Sequence, residues 1–393
     1  MENTVQQLYL QVSQALSRVS ETPFLDAQVL LSHFLEKPHS WLMAHPEASL
    51  NDQQTNKIYH ALNRLQLGEP LPYVIARWEF YGLDFNLTPD VLIPRPETEL
   101  LVERALDWLH HHPTSHKVID VGTGSGCIGI SLAAHNPNVH VLLTDISLPA
   151  LKVAMANAEM HALSDRLEFQ QADLLNGVTG SFDLLCANLP YIPRDALMRL
   201  PVADREPLLA LDGGLRGLEI TTRLLDQARE HVMPGGLMLL EIESSQGIEI
   251  LKIGREYYPA SKVQLLKDLA GHDRCVEITL TSLIVHLCQP EEWREAVDSG
   301  VYRADSLNSE GFIHCSRPDQ LLQVGNRFYR GITQMKVLWI DPKKITAEIR
   351  WETVNGASFP HIYGPVDLAS VSAVIDLQPD SDGYYRQFNL PVD

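Results

Sequence analysis

The chain has 393 residues, of which 45% are hydrophobic and 21% charged, enough material for more than one buried core. With 50 acidic against 31 basic side chains its formal charge is −19, and it lacks the Lys and Arg clusters that grip nucleic-acid phosphates. It has no run of about 18 apolar residues, so no transmembrane helix is expected. The opening MENTVQQLYLQVSQAL has no basic stretch followed by an apolar core, so no secretory leader is expected either.

The cysteines, Cys127, Cys186, Cys275, Cys288 and Cys315, are scattered and show no C-x-x-C spacing. That pattern fits reduced thiols of a cytoplasmic protein, not a disulfide framework or a zinc ribbon.

In chain order, residues 1–72 read as a helical domain. In ETPFLDAQVLLSHFLEK, Thr22 is the expected N-cap and Pro23 the first helical residue. Phe24, Ala27, Leu30, Leu31, Phe34 and Leu35 then share one face. A second helix, about Asp52 to Leu67, is stopped by Gly68 and Pro70. Residues 73–93 are rich in β-branched and aromatic side chains and predict a β-hairpin. The stretch from PRPETE onward starts a helix with acidic residues in its first turn.

From Lys117 the pattern alternates. Strands are expected at KVIDVG, VHVLLTD, LEFQQAD, FDLLCAN and GGLMLLEI, and helices near 127–134, 149–161 and 217–232. Alternation of this kind predicts a doubly wound, mostly parallel sheet over residues 73–281, with ligands at the carboxyl ends of its strands. Residues 282–393, with strands at LIVHLC and MKVLWID and a helix at PEEWREAVDSG, predict a small C-terminal α/β or α+β domain.

The chemistry clusters at those strand ends. Gly122, Thr123, Gly124, Ser125 and Gly126 form a strand-to-helix turn where backbone can approach a ligand closely. Gly124–Gly129 also fits G-x-G-x-x-G, a weak dinucleotide signal on its own. Asp145 ends the next strand, placed for ribose hydroxyls, which both NAD and S-adenosyl-L-methionine carry. Asp120, two residues before the first glycine, and Asp173 favour S-adenosyl-L-methionine: Asp120 is expected to face its amino-acid part and Asp173 its adenine. The bland alternative is that Asp145 and Asp173 only cap helices.

An apolar strand that exits into Asn188-Leu189-Pro190-Tyr191 completes the series. Together with FYGLDF, VLIPRPETELLVE, DVGTGSGCIGISLA, EPLLALDGGLRGLE, PGGLMLLEI and DLAGHDR, it resembles the peptide chain release factor glutamine methyltransferases, the HemK/PrmC family, over about residues 1–280. The resemblance implies an N-terminal domain that helps bind a release factor. It also implies a Rossmann-like catalytic domain that uses S-adenosyl-L-methionine to methylate the amide nitrogen of the glutamine in a Gly-Gly-Gln motif. Catalytic roles then fall on Asn188, Pro190 and Tyr191. Asn188 also touches the cofactor, Leu174 stands at a position that lines the adenine in some members, and Asn188 to Tyr191 contact the substrate amide, with the Leu189 carbonyl as second acceptor and Tyr191 against the amide face. Leu189 stands where the family has proline, and Glu243 where it usually has glycine.

Adenine amino-methylation in DNA shares this logic and is the alternative enzyme. A non-catalytic release-factor-binding protein is the alternative of another class. The partners expected are release factors, without membrane or direct nucleic-acid binding, and no metal is assigned. The histidines His110, His111, His112 and His116 are read as a helix C-terminus. The segment REPLLALDGG is either a lid or a connecting loop. In the C-terminal domain, GFIHCS resembles a small uncharacterised bacterial family, and His314 and His361 either line a pocket or pack in a core.

Overall fold

The computed structural model describes residues 4–354 and 357–390, so the outermost residues of the expected 1–72 and 282–393 spans lie outside the description. Five helices come first: α1 (Val5–Leu16), α2 (Pro23–Leu35), α3 (His39–Ala44), α4 (Asp52–Gln66) and α5 (Leu71–Ile75). Thr4 and Asn51 cap α1 and α4, each in a reciprocal box with the glutamine three residues on. Thr22 occupies the N-cap of α2 but accepts no helix N–H; its hydroxyl donates to Asp26 instead. Ala27, Leu30, Leu31 and Leu35 join Leu8, Val12 and Ile58 in one core. Phe24, expected on that face, is 61% exposed. Tyr73 to Ile75 lie in α5, not in the hairpin: Pro72 favours a helical first turn, and Ala76 ends it in the left-handed region.

The hairpin is shorter than expected, β1 (Arg77–Phe80) and β2 (Leu83–Asn86). After α6 (Glu99–His111) come β3 (His116–Val121), α7 (Cys127–His135), β4 (Val139–Asp145), α8 (Leu148–Met160), β5 (Leu167–Gln171) and β6 (Phe182–Ala187). Then follow α9 (Arg194–Leu197), α10 (Glu219–Ala228), β7 (Val232–Glu241), α11 (Gly247–Tyr257), β8 (Lys262–Lys267) and β9 (Asp273–Thr279). Strands β3 to β9 form one seven-stranded sheet in the order β5-β4-β3-β6-β7-β9-β8. The pairs among β3 to β7 are parallel, and those of β9 with β7 and β8 are antiparallel. Apolar side chains cover both faces in two separate clusters, which is why the central strands read as near-continuous apolar runs. The chain leaves β3 toward β4 on one side and reaches β6 on the other, so a crevice opens at their carboxyl ends.

The C-terminal part is built from β10 (Ile284–Cys288), α12 (Pro290–Ser299), β11 (Val301–Tyr302), α13 (Asp305–Ser309), β12 (Ile313–His314), α14 (Leu321–Phe328), β13 (Met335–Ile340), β14 (Ile349–Val354), β15 (Ala357–Ile362), β16 (Val366–Asp367) and β17 (Val371–Leu377). Among the described residues all its strand pairs are antiparallel, so of the two expected classes it is α+β. It docks beside the seven-stranded sheet through Arg317, 5% exposed, which reaches Glu230, in the turn before β7, at 2.9 Å and Asp319 at 3.2 Å. Arg229 binds Asp319 at 3.1 Å from the other side. The five cysteines are buried and unpaired. His111 and His112 each bond the backbone carbonyl four residues earlier, at 2.8 Å, which ties their rings to the end of α6.

Candidate active site

A cavity of about 420 Å³ opens at the carboxyl ends of β3, β4 and β6, lined among others by Gly122 to Ser125, Asp145, Asp173, Leu174 and Asn188 to Pro190. Its floor is the turn between β3 and α7. Gly122, Gly124 and Gly126 have φ of 71°, 56° and 84°, torsions that a side chain resists. The turn hangs from β4 by two bonds to the Thr144 carbonyl, from Gly122 N–H at 2.8 Å and Thr123 N–H at 2.9 Å. It delivers the N-terminus of α7 to the cavity wall, which Cys127 and Ile128 line. Ser125 lines the wall as well, and its buried hydroxyl has no hydrogen-bond partner among the described residues.

Asp145 accepts from Gly124 N–H at 2.9 Å and Ser147 N–H at 2.8 Å, one bond to each oxygen. Each oxygen keeps a lone pair for a ligand. Burial raises its pKa above the ordinary value.

Asp120 lies elsewhere. It is fully buried beneath the turn and does not line the cavity. One oxygen accepts from the Thr123 hydroxyl at 2.6 Å and from Gly129 N–H at 3.0 Å; the other has no partner among the described residues. Alternation along β3 turns this side chain under α7, so it braces the turn from below, where it had been expected to face the ligand. Burial pushes its pKa up to about 6.

Asp173 lines the cavity, two residues beyond the end of β5, with its carboxylate paired to Arg223 at 2.6 Å. The adjoining Leu174 is buried at φ 57°, an unusual torsion for a bulky residue.

Asn188 follows β6 directly. Its Nδ2 donates to Thr98 Oγ1 at 3.0 Å, and the Thr98 hydroxyl donates to Glu241 Oε2 at 2.6 Å. A hydroxyl has one proton to give. Since Thr98 gives it to the carboxylate, Asn188 must present its nitrogen to Thr98, which leaves Oδ1 as a free acceptor on the cavity wall. Tyr191 does not line the cavity. Its hydroxyl reaches Glu241 Oε1 at 3.3 Å, and its carbonyl accepts from Gln246 Nε2 at 2.9 Å. The tyrosine expected against a substrate amide is thus drawn inward by a buried carboxylate.

Glu243 caps the turn that carries Gln246: its carboxylate accepts from Ser245 N–H at 2.8 Å. This substitution therefore supports the bracing of the loop after β6. The opposite wall is REPLLALDGG, pinned more firmly than a free lid. Gly213 N–H donates to the Ile192 carbonyl at 2.9 Å, and Ile192 N–H to Leu211 at 3.2 Å. Glu206 accepts from Ile93 N–H at 3.1 Å and pairs with Arg95.

Sequence reasoning missed Thr98, Glu241 and Asn157. Asn157 is fully buried and ties the hairpin at Asn86 (2.7 Å) to the Ser125 carbonyl (2.9 Å). An asparagine on the apolar face of α8 was its only sequence signal. PRPETE shapes the rim and also starts a helix, since Pro94 and Thr98 line the cavity while Glu99 opens α6. In the C-terminal part, His361 is buried under Phe312, ring centroids 4.2 Å apart, and bonds Glu352 at 2.6 Å; His314 is half-exposed.

Comparison with known proteins agrees with this architecture. Family models described as "PrmC N-terminal domain" and "Methyltransferase small domain" match residues 7–75 and 97–201, and "Protein of unknown function (DUF952)" matches residues 287–374. Protein CC0527 of Caulobacter crescentus, of known structure, is 28% identical over 26% of this chain and 93% of its own, with a TM-score of 0.26. The release factor glutamine methyltransferase of Koribacter versatilis is 39% identical over 260 residues, 65% of this chain and 90% of the relative. That of Moorella thermoacetica is 42% identical over 257 residues, again 65% of this chain and 90% of the relative. With such relatives matched over nine-tenths of their length, the chain belongs to the release factor glutamine methyltransferase family.

Proposed function

We propose that this chain transfers a methyl group from S-adenosyl-L-methionine to the side-chain amide nitrogen of the glutamine in the Gly-Gly-Gln motif of peptide chain release factors. The reading rests on family membership together with one observation, the hydrogen-bond polarity of Asn188, which leaves an acceptor on the cavity wall.

The residues present fit the cofactor. The unpartnered Ser125 hydroxyl and the N-terminus of α7 suit an anionic amino-acid carboxylate. Asp145 suits ribose hydroxyls, Leu174 and the Asp173 loop suit an adenine, and Asp120 holds the glycine turn in shape. When bound, the cofactor supplies an electrophilic methyl group.

The protein's task is to prepare a poor nucleophile. A carboxamide nitrogen shares its lone pair with its carbonyl and carries two N–H donors. Asn188 Oδ1 accepts one, and the Leu189 carbonyl accepts the other. Held by both, the nitrogen is oriented and desolvated, and most of the acceleration comes from this positioning. Pro190 stiffens the loop. Tyr191 anchors it through Glu241. A strong base is not needed for this, because the nitrogen becomes acidic only once alkylated.

Methylation of adenine in DNA would use the same acceptors but needs a cationic surface, which a charge of −19 opposes. The deciding experiment incubates the full chain with isotope-labelled S-adenosyl-L-methionine and a purified release factor, then locates the methyl by mass spectrometry. Label on the Gly-Gly-Gln glutamine is expected; label elsewhere, or none, overturns the reading.

A further inference from the structure

A side-chain carboxamide can sit in one space in two orientations that differ only by exchange of O and NH2. For Asn188 the choice decides everything. With Oδ1 toward the substrate, an acceptor meets an N–H donor. With Nδ2 there, a donor meets a donor. Nothing in the loop after β6 makes that choice, since the Asn188 amide nitrogen bonds only to Thr98 among the described residues.

We infer that Thr98 and Glu241 form a positioning relay whose function is to fix the polarity of the Asn188 amide with its oxygen toward the methyl acceptor; the inference rests on the proposed activity. Three features carry it. The relay is continuous: Asn188 Nδ2 to Thr98 Oγ1 at 3.0 Å, then Thr98 to Glu241 Oε2 at 2.6 Å. It is shielded, with Thr98 at 1% and Glu241 at 2% exposure, so water does not offer Asn188 a competing partner at that end. And it has a direction, because an ionised carboxylate only accepts, which forces the hydroxyl to donate to it and to accept from Asn188. The Tyr191 hydroxyl also donates to Glu241, at 3.3 Å, so the carboxylate anchors both ends of the Asn188-to-Tyr191 loop. Thr98 and Glu241 lie 143 residues apart in sequence, on the PRPETE segment and at the end of β7, and meet only in the folded protein.

The test uses the full chain with S-adenosyl-L-methionine and a release factor, and compares wild type, Thr98→Val, Thr98→Ser, Glu241→Gln and Asn188→Ala. Thr98→Val keeps the shape and removes the hydroxyl. It is expected to lower kcat at least about tenfold while KM for the cofactor stays within about twofold. Thr98→Ser, which keeps the relay, should stay within about threefold of wild type. In the Asn188→Ala background, Thr98→Val should cost nothing more, because the hydroxyl acts only through Asn188. Wild-type kcat in Thr98→Val, or an equal fractional loss in both backgrounds, overturns the relay. Should Thr98→Val fail to fold, Glu241→Gln gives the same comparison: its amide can accept or donate, so polarity is lost while shape is kept, and an undiminished kcat overturns the inference. A wild-type chain that leaves the glutamine unmethylated overturns the functional reading and the relay with it.

Discussion

Leu189 lies directly over Gly122: a Cβ on that glycine would come within 2.8 Å of Leu189 Cδ2. The loop after β6 and the glycine turn after β3 are therefore one packed unit. Gly122→Ala would meet both this contact and a φ of 71°. The left-handed backbone costs about 1–2 kcal/mol, and overpacking adds about 1–3 kcal/mol. Calorimetry should show cofactor affinity lost in Gly122→Ala and partly recovered in the double variant with Leu189→Ala, which removes the clash but not the torsional strain.

Asn188→Ala removes the side-chain acceptor. Loss of one positioned contact in a desolvated site costs about 100-fold or more in turnover. Cofactor binding should fall far less, since the glycine turn and Asp145 are untouched. Steady-state rates and a binding isotherm on one preparation check this, and near-normal turnover would reduce Asn188 to a strand-end residue.

Glu241 is buried, and burial pushes its pKa up to about 7 against hydrogen bonds from Thr98 and Tyr191 and the charge of Arg274, with Glu97 raising it further. The thiol of Cys275 also faces it from β9. Above about pH 7 the carboxylate is ionised and accepts from Thr98. Below, the protonated acid can donate to Thr98, and the hydroxyl can then donate to Asn188, which reverses the amide. Methyl transfer is expected to decline as pH falls through about 7, and Glu241→Gln should give a low, flat profile over that range.

Asp120 bears on stability rather than rate. Its folded pKa, about 6, lies above its ordinary value of 3.8, chiefly through burial. Between these values the folded state holds a proton that the unfolded state releases, so this group's contribution to stability falls as pH rises through that window. The full effect is about 3 kcal/mol. Asp120→Asn lacks it, so denaturant titrations should show the variant gaining on wild type between about pH 4 and pH 6.

Arg317 closes the contact between the C-terminal part and the sheet, beside the start of β7, while Asn188 stands at the far end of β6. The six residues of β6 separate them, about 20 Å at ~3.3 Å per residue. A chain ending near Thr281 should therefore keep methyl transfer near the full-length rate. Arg317→Ala in the full chain leaves Asp319 to Arg229 alone and Glu230 to water, and should cost about 1–3 kcal/mol. Exposed Arg194 beside Asp212 should cost about 0–1 kcal/mol when replaced. A soluble truncated chain that binds cofactor and transfers nothing would contradict the separation.

The strand-to-helix alternation was legible because each element declares itself over a short window: the run ending at Ala187, the glycines of the turn, Asp145 closing β4. The relay was not, because nothing near Thr98 announces a partner at 241, and a threonine after PRPE reads equally as a helix start. Asp120 misled for a related reason. Proximity to a motif does not say which side of the sheet a side chain takes. Leu174 at φ 57° was hidden too, since leucine does not signal a left-handed torsion as glycine does. The short helix over Tyr73 to Ile75 was lost to β propensity, which the prolines before it override.

Every cysteine in this chain is buried and unpaired, and burial pushes the Cys127 thiol up to about 12. At neutral pH such sulfurs are thiols, not thiolates, and thiols react slowly with oxidants and alkylating agents. The cysteines of the native protein should therefore react slowly with peroxide and take up little maleimide. One cysteine placed on its surface would then be the single reactive site, ready to carry a fluorophore that watches a substrate arrive.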